Sequence, residues 1–133
     1  MHVLVVDDSQ IMRRIIIGTL GKLGINDLEI TEASNGQEAL DIVNQQNNIG
    51  LILMDWNMPV MTGIEAVEQI RGSQNTTPIV MVTTEGEKQK VIEAIKAGVN
   101  DYLIKPFRVQ DLLAVMQGKL RHTRHCQPLL VTA

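Results

Sequence analysis

Aromatic residues are nearly absent from this chain: one Trp, one Tyr and one Phe among 133 residues. Hydrophobic content is still 44%, so one core can form, filled by Val, Ile, Leu, Met and Ala. Cysteine occurs once, at Cys126, which excludes an internal disulfide and fits a reducing compartment. Basic residues do not dominate. Twelve of them against 15 acidic ones leave a net charge of −3, which implies no nucleic-acid surface. No run approaches the ~20 apolar residues of a membrane span. The first apolar run, Val3 to Val6, stops at Asp7-Asp8, far short of the apolar stretch of a signal peptide. A cytoplasmic protein without membrane insertion is expected, of a length that suits one domain.

What is present is a set of short apolar runs that end in reactive groups. Val3-Leu4-Val5-Val6 ends in Asp7-Asp8, Leu51-Ile52-Leu53-Met54 in Asp55, and Ile79-Val80-Met81-Val82 in Thr83. Tyr102-Leu103-Ile104 ends in Lys105-Pro106, where a trans bond is the ordinary expectation. Such runs, bounded by turn signals, read as buried parallel strands. Leu28 to Ala33 reads as a further strand through its alternation.

Helical spacing lies between the runs. It is seen in Ile11, Ile15, Ile16, Leu20 and Leu23, closed by Gly24. Capping boxes at Asn35/Glu38 and Thr62/Glu65 open two more helices. Ile92, Ile95 and Val99 mark a fourth helix, with Gly98 near its end, and Leu112, Leu113, Met116 and Leu120 a fifth. The alternation predicts an α/β, doubly wound fold: five parallel strands and five helices in one domain, residues 1–121. The pattern stops there, and the tail, 122–133, is expected to be loosely held.

In an open α/β sheet, ligands bind beyond the carboxyl ends of the strands. That rim would carry three acids, a hydroxyl and an amine. Two like charges ~4 Å apart repel by about 4 kcal/mol at an effective dielectric of ~20. Carboxylates gathered from two strand ends therefore need a cation or a proton. Magnesium suits them, since it takes oxygen ligands, keeps waters and shares a substrate phosphate. Lys105 offers a positive charge to Asp55 or to a phosphoryl oxygen, and Thr83 a hydroxyl donor. Singly, each is explained as a solvated charge or a helix cap. Together they are parts for phosphoryl transfer, which needs positioning and charge stabilisation.

Five segments then carry a resemblance. They are Val5-Val6-Asp7-Asp8-Ser9, Met54-Asp55-Trp56-Asn57-Met58-Pro59-Val60-Met61-Thr62-Gly63, Val82-Thr83-Thr84-Glu85, Ala97-Gly98-Val99-Asn100-Asp101-Tyr102 and Lys105-Pro106-Phe107. In order and spacing they resemble response-regulator receiver domains over residues 3 to about 121. The Asp-Trp-Asn-Met-Pro run and Tyr102 are most similar to the single-domain chemotaxis members. The resemblance, and not the runs themselves, brings the flavodoxin-like strand order 2-1-3-4-5, which is the known order for that class.

The resemblance implies a role for each site residue. Asp55 would be the phosphoacceptor, taking a phosphoryl group from a histidine kinase as an acyl phosphate. Magnesium would be held by Asp8, Asp55 and the backbone carbonyl of Asn57, with Asp7 acting through a water. Lys105 and Thr83 would hold phosphoryl oxygens. Asn57 and Glu85 would set the rate of dephosphorylation. The chain would be no enzyme, only assisting its own phosphorylation and slow autodephosphorylation. As Thr83 moves, Tyr102 would turn inward and alter the face of the fourth helix, fifth strand and fifth helix. That face would meet a downstream target, with the flagellar motor switch as candidate; a phosphatase is a further implied partner, and a monomer is expected. Thr84 departs from the very small residue frequent in the family, and its bulk bears on the Thr83–Tyr102 coupling.

Rival readings stay open. One is a receiver cut from a larger regulator with an output domain. Another is a metal-dependent phosphatase with an aspartyl-phosphate intermediate. Such enzymes typically carry a second acid two residues after the nucleophile, where this chain has Asn57, which cannot donate a proton as a carboxylic acid does. A structural adaptor that has lost phosphorylation conflicts with the complete acidic set. Met12, Met54, Met58, Met61, Met81 and Met116 are expected in or beside the core. His2 and the Arg13-Arg14 pair are expected at the surface. His122, His125 and Cys126 are set aside as a metal site.

Overall fold

Apolar runs that are buried on both faces form parallel strands, and this chain has them in the centre of its sheet. The computed structural model describes residues 1–125, with side chains to residue 117. The strands are β1 (His2–Val6), β2 (Glu29–Ala33), β3 (Leu51–Met54), β4 (Ile79–Thr83) and β5 (Asp101–Ile104). They alternate with α1 (Gln10–Gly21), α2 (Gly36–Gln45), α3 (Gly63–Gly72), α4 (Lys88–Ala97) and α5 (Val109–His125). All pairings are parallel, in the order β2-β1-β3-β4-β5. The α/β doubly wound, flavodoxin-like architecture is as expected.

Every residue of β1, β3 and β4 is buried. Leu4, Val6, Ile52, Met54, Ile79 and Met81 join one core layer with Leu40, Val67, Ile70 and Ala94. Val3, Val5, Leu51, Leu53, Val80 and Val82 join the other with Ile16, Leu20, Leu112 and Met116. Full burial of such side chains contributes roughly 1.5–3 kcal/mol each. The strand ends that bear the acids are thus fixed to fully buried strands.

Several local expectations are corrected. Ile11 and Ile15 are exposed, at 73% and 52%. Ile15-Ile16-Ile17 allows more than one apolar stripe, and the one through Met12, Ile16 and Leu20 faces the sheet. The helix ends at Gly21, and Gly24 lies in the following turn with φ of 70°. At α2, Asn35 accepts from the Glu38 N–H, but the Glu38 carboxylate turns to the N–H and hydroxyl of Ser34, so only half the box forms. The box at α3 is complete. His2 is buried, not at the surface, because β1 lies between β2 and β3; its Nε2 is 2.6 Å from Thr31 Oγ1. Lys105-Pro106 is cis. Helix α5 continues past residue 121 to His125, and the expectation for the rest of the tail lies outside the described residues, as do the side chains of His122, His125 and Cys126.

Candidate functional site

The site is assembled where four strands end. Asp7 follows β1, and its N–H still bonds to the Ala33 carbonyl at 3.1 Å. The Ser9 hydroxyl caps α1 by accepting from Met12 N–H, so the chain turns at once and leaves Asp7 and Asp8 at the rim. Asp7 Oδ1 accepts from the Ser9 N–H at 2.9 Å. Asp55 continues β3, its N–H bonded to the Val6 carbonyl at 2.9 Å, and its Oδ1 accepts from the Trp56 N–H at 2.8 Å. Behind it the chain enters α3, where Gly63 N–H donates to the Trp56 carbonyl.

Carboxylate oxygens of Asp7, Asp8 and Asp55 lie within 4.8 Å of one another. Asp7 and Asp55 are buried and Asp8 is exposed. Lys105 Nζ donates to Asp7 Oδ2 at 2.8 Å and stands 3.4 Å from Asp55 Oδ1. The lysine therefore pairs more closely with Asp7 than with Asp55, the partner expected from sequence. Burial pushes the Asp55 carboxyl above its ordinary pKa, repulsion from Asp7 adds to this, and Lys105 opposes it. Oxygen donors, crowded charge and one open side fit a hard divalent cation.

The Asp55 charge is thus a burden on the metal-free fold. An acid whose folded pKa is raised contributes stability at low pH that is lost as pH rises through that pKa. Without magnesium, Asp55→Asn should melt about 3–8 °C higher than wild type at pH 7. The gap should close in acid, and thermal melts across pH check this.

Thr83 is 1% exposed, and its Oγ1 accepts from the Glu85 N–H at 3.3 Å. Asn57 Nδ2 donates to Glu85 Oε2 at 3.3 Å. The Tyr102 hydroxyl donates to the Glu85 carbonyl. Burial, with Glu85 and Glu93 nearby, pushes the phenol up to about 12. Thr83, Asn57, Glu85 and Tyr102 are therefore joined along the β4–α4 loop, while Thr84 is exposed.

Arg13 was missed. Its Nη1 donates to the Asp7 carbonyl at 2.6 Å and its Nε to Glu32 at 2.8 Å, with the side chain 15% exposed. Neighbouring helical residues point about 100° apart, since a turn takes 3.6 residues. One arginine of the Arg13-Arg14 pair can therefore face the sheet, a signal the pair itself contains.

Residues 3–117 match the family model described as response regulator receiver domain. The chain belongs to that family. It is 49% identical over 122 residues to a chemotaxis protein CheY homolog of Campylobacter jejuni, covering 90% of this chain and 92% of that one. It is 46% identical to chemotaxis protein CheY1 of Helicobacter pylori, over 84% and 90%. The solved structure of Vibrio cholerae chemotaxis protein CheY4 matches with a TM-score of 0.77 at 40% identity, over 87% and 95%. Among the described residues, no helix is long and apolar enough to cross a membrane.

Proposed function

We propose that this chain is a cytoplasmic, CheY-like chemotaxis response regulator that takes a phosphoryl group from a histidine kinase onto Asp55. The observation that carries the proposal is the buried Asp55 carboxylate set between Asp7, Asp8 and Lys105. Asp8, Asp55 and the Asn57 carbonyl would hold magnesium, with Asp7 acting through a water. When bound, that ion supplies positive charge against the phosphoryl oxygens.

An Asp55 oxygen forms the new O–P bond while the N–P bond of the phosphohistidine breaks, and the imidazole leaves with the electron pair. Lys105, already within 3.4 Å of Asp55, stabilises one entering oxygen. The Thr83 hydroxyl accepts from Glu85, which leaves its own proton for another. The Asn57–Glu85 bridge would bear on hydrolysis by holding both side chains at the rim. Movement of Thr83 and Glu85 releases the Tyr102 hydroxyl, which changes the face of α4, β5 and α5. Ile95 and Ile104, 52% and 41% exposed, give that face apolar contacts for a target such as the flagellar motor switch.

Intact mass after incubation with magnesium and acetyl phosphate tests this. One added phosphoryl group is expected on the wild type and none on Asp55→Asn. An unmodified wild type that binds magnesium would overturn the proposal. Multiple turnover of small phosphate esters would favour the aspartyl-phosphate phosphatase instead.

A further inference from the structure

Helix α4 is weakly anchored. Only Ala94 of its residues is buried, against Gly63, Ile64, Ala66, Val67 and Ile70 in α3. Its N-cap, Glu87, makes no side-chain cap bond. Its first turn nevertheless makes one cation–π contact with the site. Lys90 Nζ lies 4.8 Å from the centroid of the Trp56 ring. Lys90 is half-buried, and among the described residues it makes no ion pair with a carboxylate. Trp56 is buried and follows Asp55, and its N–H donates to Asp55 Oδ1. A chain of direct contacts thus runs from the Asp55 carboxylate through the Trp56 peptide and ring to the first turn of α4.

We propose that Lys90 is a positioning residue that couples the state of Asp55 to α4 through Trp56, separately from Thr83 and Tyr102. This rests on Asp55 being the phosphoacceptor. The differential energy has a defined source. The Trp56 N–H now bonds to a carboxylate, and such charge-assisted bonds are roughly twice as strong as neutral ones. Conversion of Asp55 to an acyl phosphate moves the negative charge from the carboxylate oxygens to the phosphoryl oxygens, which weakens the bond to Asp55 Oδ1. The Trp56 ring is then freer to shift, the cation loses its best position, and the uncapped first turn loosens. A two-state element responds only to such a difference between its states.

Hydrogen exchange of the full chain at residues 88–97 tests the coupling, with and without magnesium and beryllofluoride as the phosphoryl mimic. Wild-type α4 should exchange about three-fold faster when the mimic binds, the effect of losing a modest cation–π contact. Lys90→Met, which keeps the length and loses the charge, should exchange at the faster rate from the start and respond no further. Lys90→Arg keeps a cation and should restore the wild-type response. A change at Tyr102 on adding the mimic should persist in both variants.

An α4 response in Lys90→Met equal to that of wild type would overturn the coupling. So would Lys90→Arg behaving like Lys90→Met. Intact mass with acetyl phosphate separates the two layers. Phosphorylation of the wild type and both variants, with no loss of the α4 response in Lys90→Met, rejects the coupling alone. No phosphorylation of the wild type rejects it together with the proposed function.

Discussion

Gly63→Ala is expected to lower stability by about 3 kcal/mol and to weaken magnesium binding with it. An added Cβ would lie 2.0 Å from the Asp55 carbonyl oxygen and 3.0 Å from its carbon, both backbone atoms. Backbone cannot swing aside as a flexible side chain can. Either α3 withdraws, breaking the Gly63 N–H bond to the Trp56 carbonyl, or the Asp55 peptide tilts. Tilting carries the Asp55 carboxylate off the Asp7–Asp8 cluster. The glycine is needed for close approach and not for an unusual φ. Urea melts should show a lower midpoint with an unchanged slope. A magnesium titration of Trp56 fluorescence should be displaced to higher concentration.

Lys105→Met should be as damaging, through charge and not shape. The ammonium is the cation paired with both Asp7 and Asp55, and the three side chains are only 11%, 3% and 10% exposed. Removing one member of a buried pair leaves uncompensated charge and costs about 3–5 kcal/mol. Here it leaves two carboxylates facing each other. Lys105 lowers the Asp55 pKa, so without it that pKa rises further. The sign follows from linkage. With a raised folded pKa, stability is retained at low pH and lost as pH rises through that pKa. The deficit should therefore be full at neutral pH and small in acid. Asp7→Asn in the same chain should recover part of it, as should magnesium. Melts of both variants across pH, with and without magnesium, check this; a deficit independent of pH would make packing its cause.

The strands and the acid cluster were legible because both rest on short-range signals. A four-residue apolar run that ends in an acid needs no knowledge of its neighbours. Residues whose role depends on a partner far along the chain were not legible. Arg13 reads as one more surface charge until β2 brings Glu32 beside it. His2 reads as exposed until β1 is known to be interior. The order of strands came from resemblance, since run lengths and spacing do not fix it. Within helices, the three isoleucines from Ile15 to Ile17 left the stripe undetermined, and the contact with the sheet chose it. The lysine's preference for Asp7 is a matter of 0.6 Å between two acceptors, a distinction no pattern of residue types contains.

The pairing of Asp7 with Lys105 joins positions 98 residues apart. Loop closure over such a span comes late, after nearer contacts have shortened it. As the chain leaves the ribosome, Asp7, just after the first strand, emerges 98 residues ahead of Lys105. A growing chain therefore carries unneutralised carboxylates until its fifth strand docks. Docking of the fifth strand and neutralisation of the buried Asp7 carboxylate thus coincide, so the acid cluster acquires its cation only when the sheet is closed.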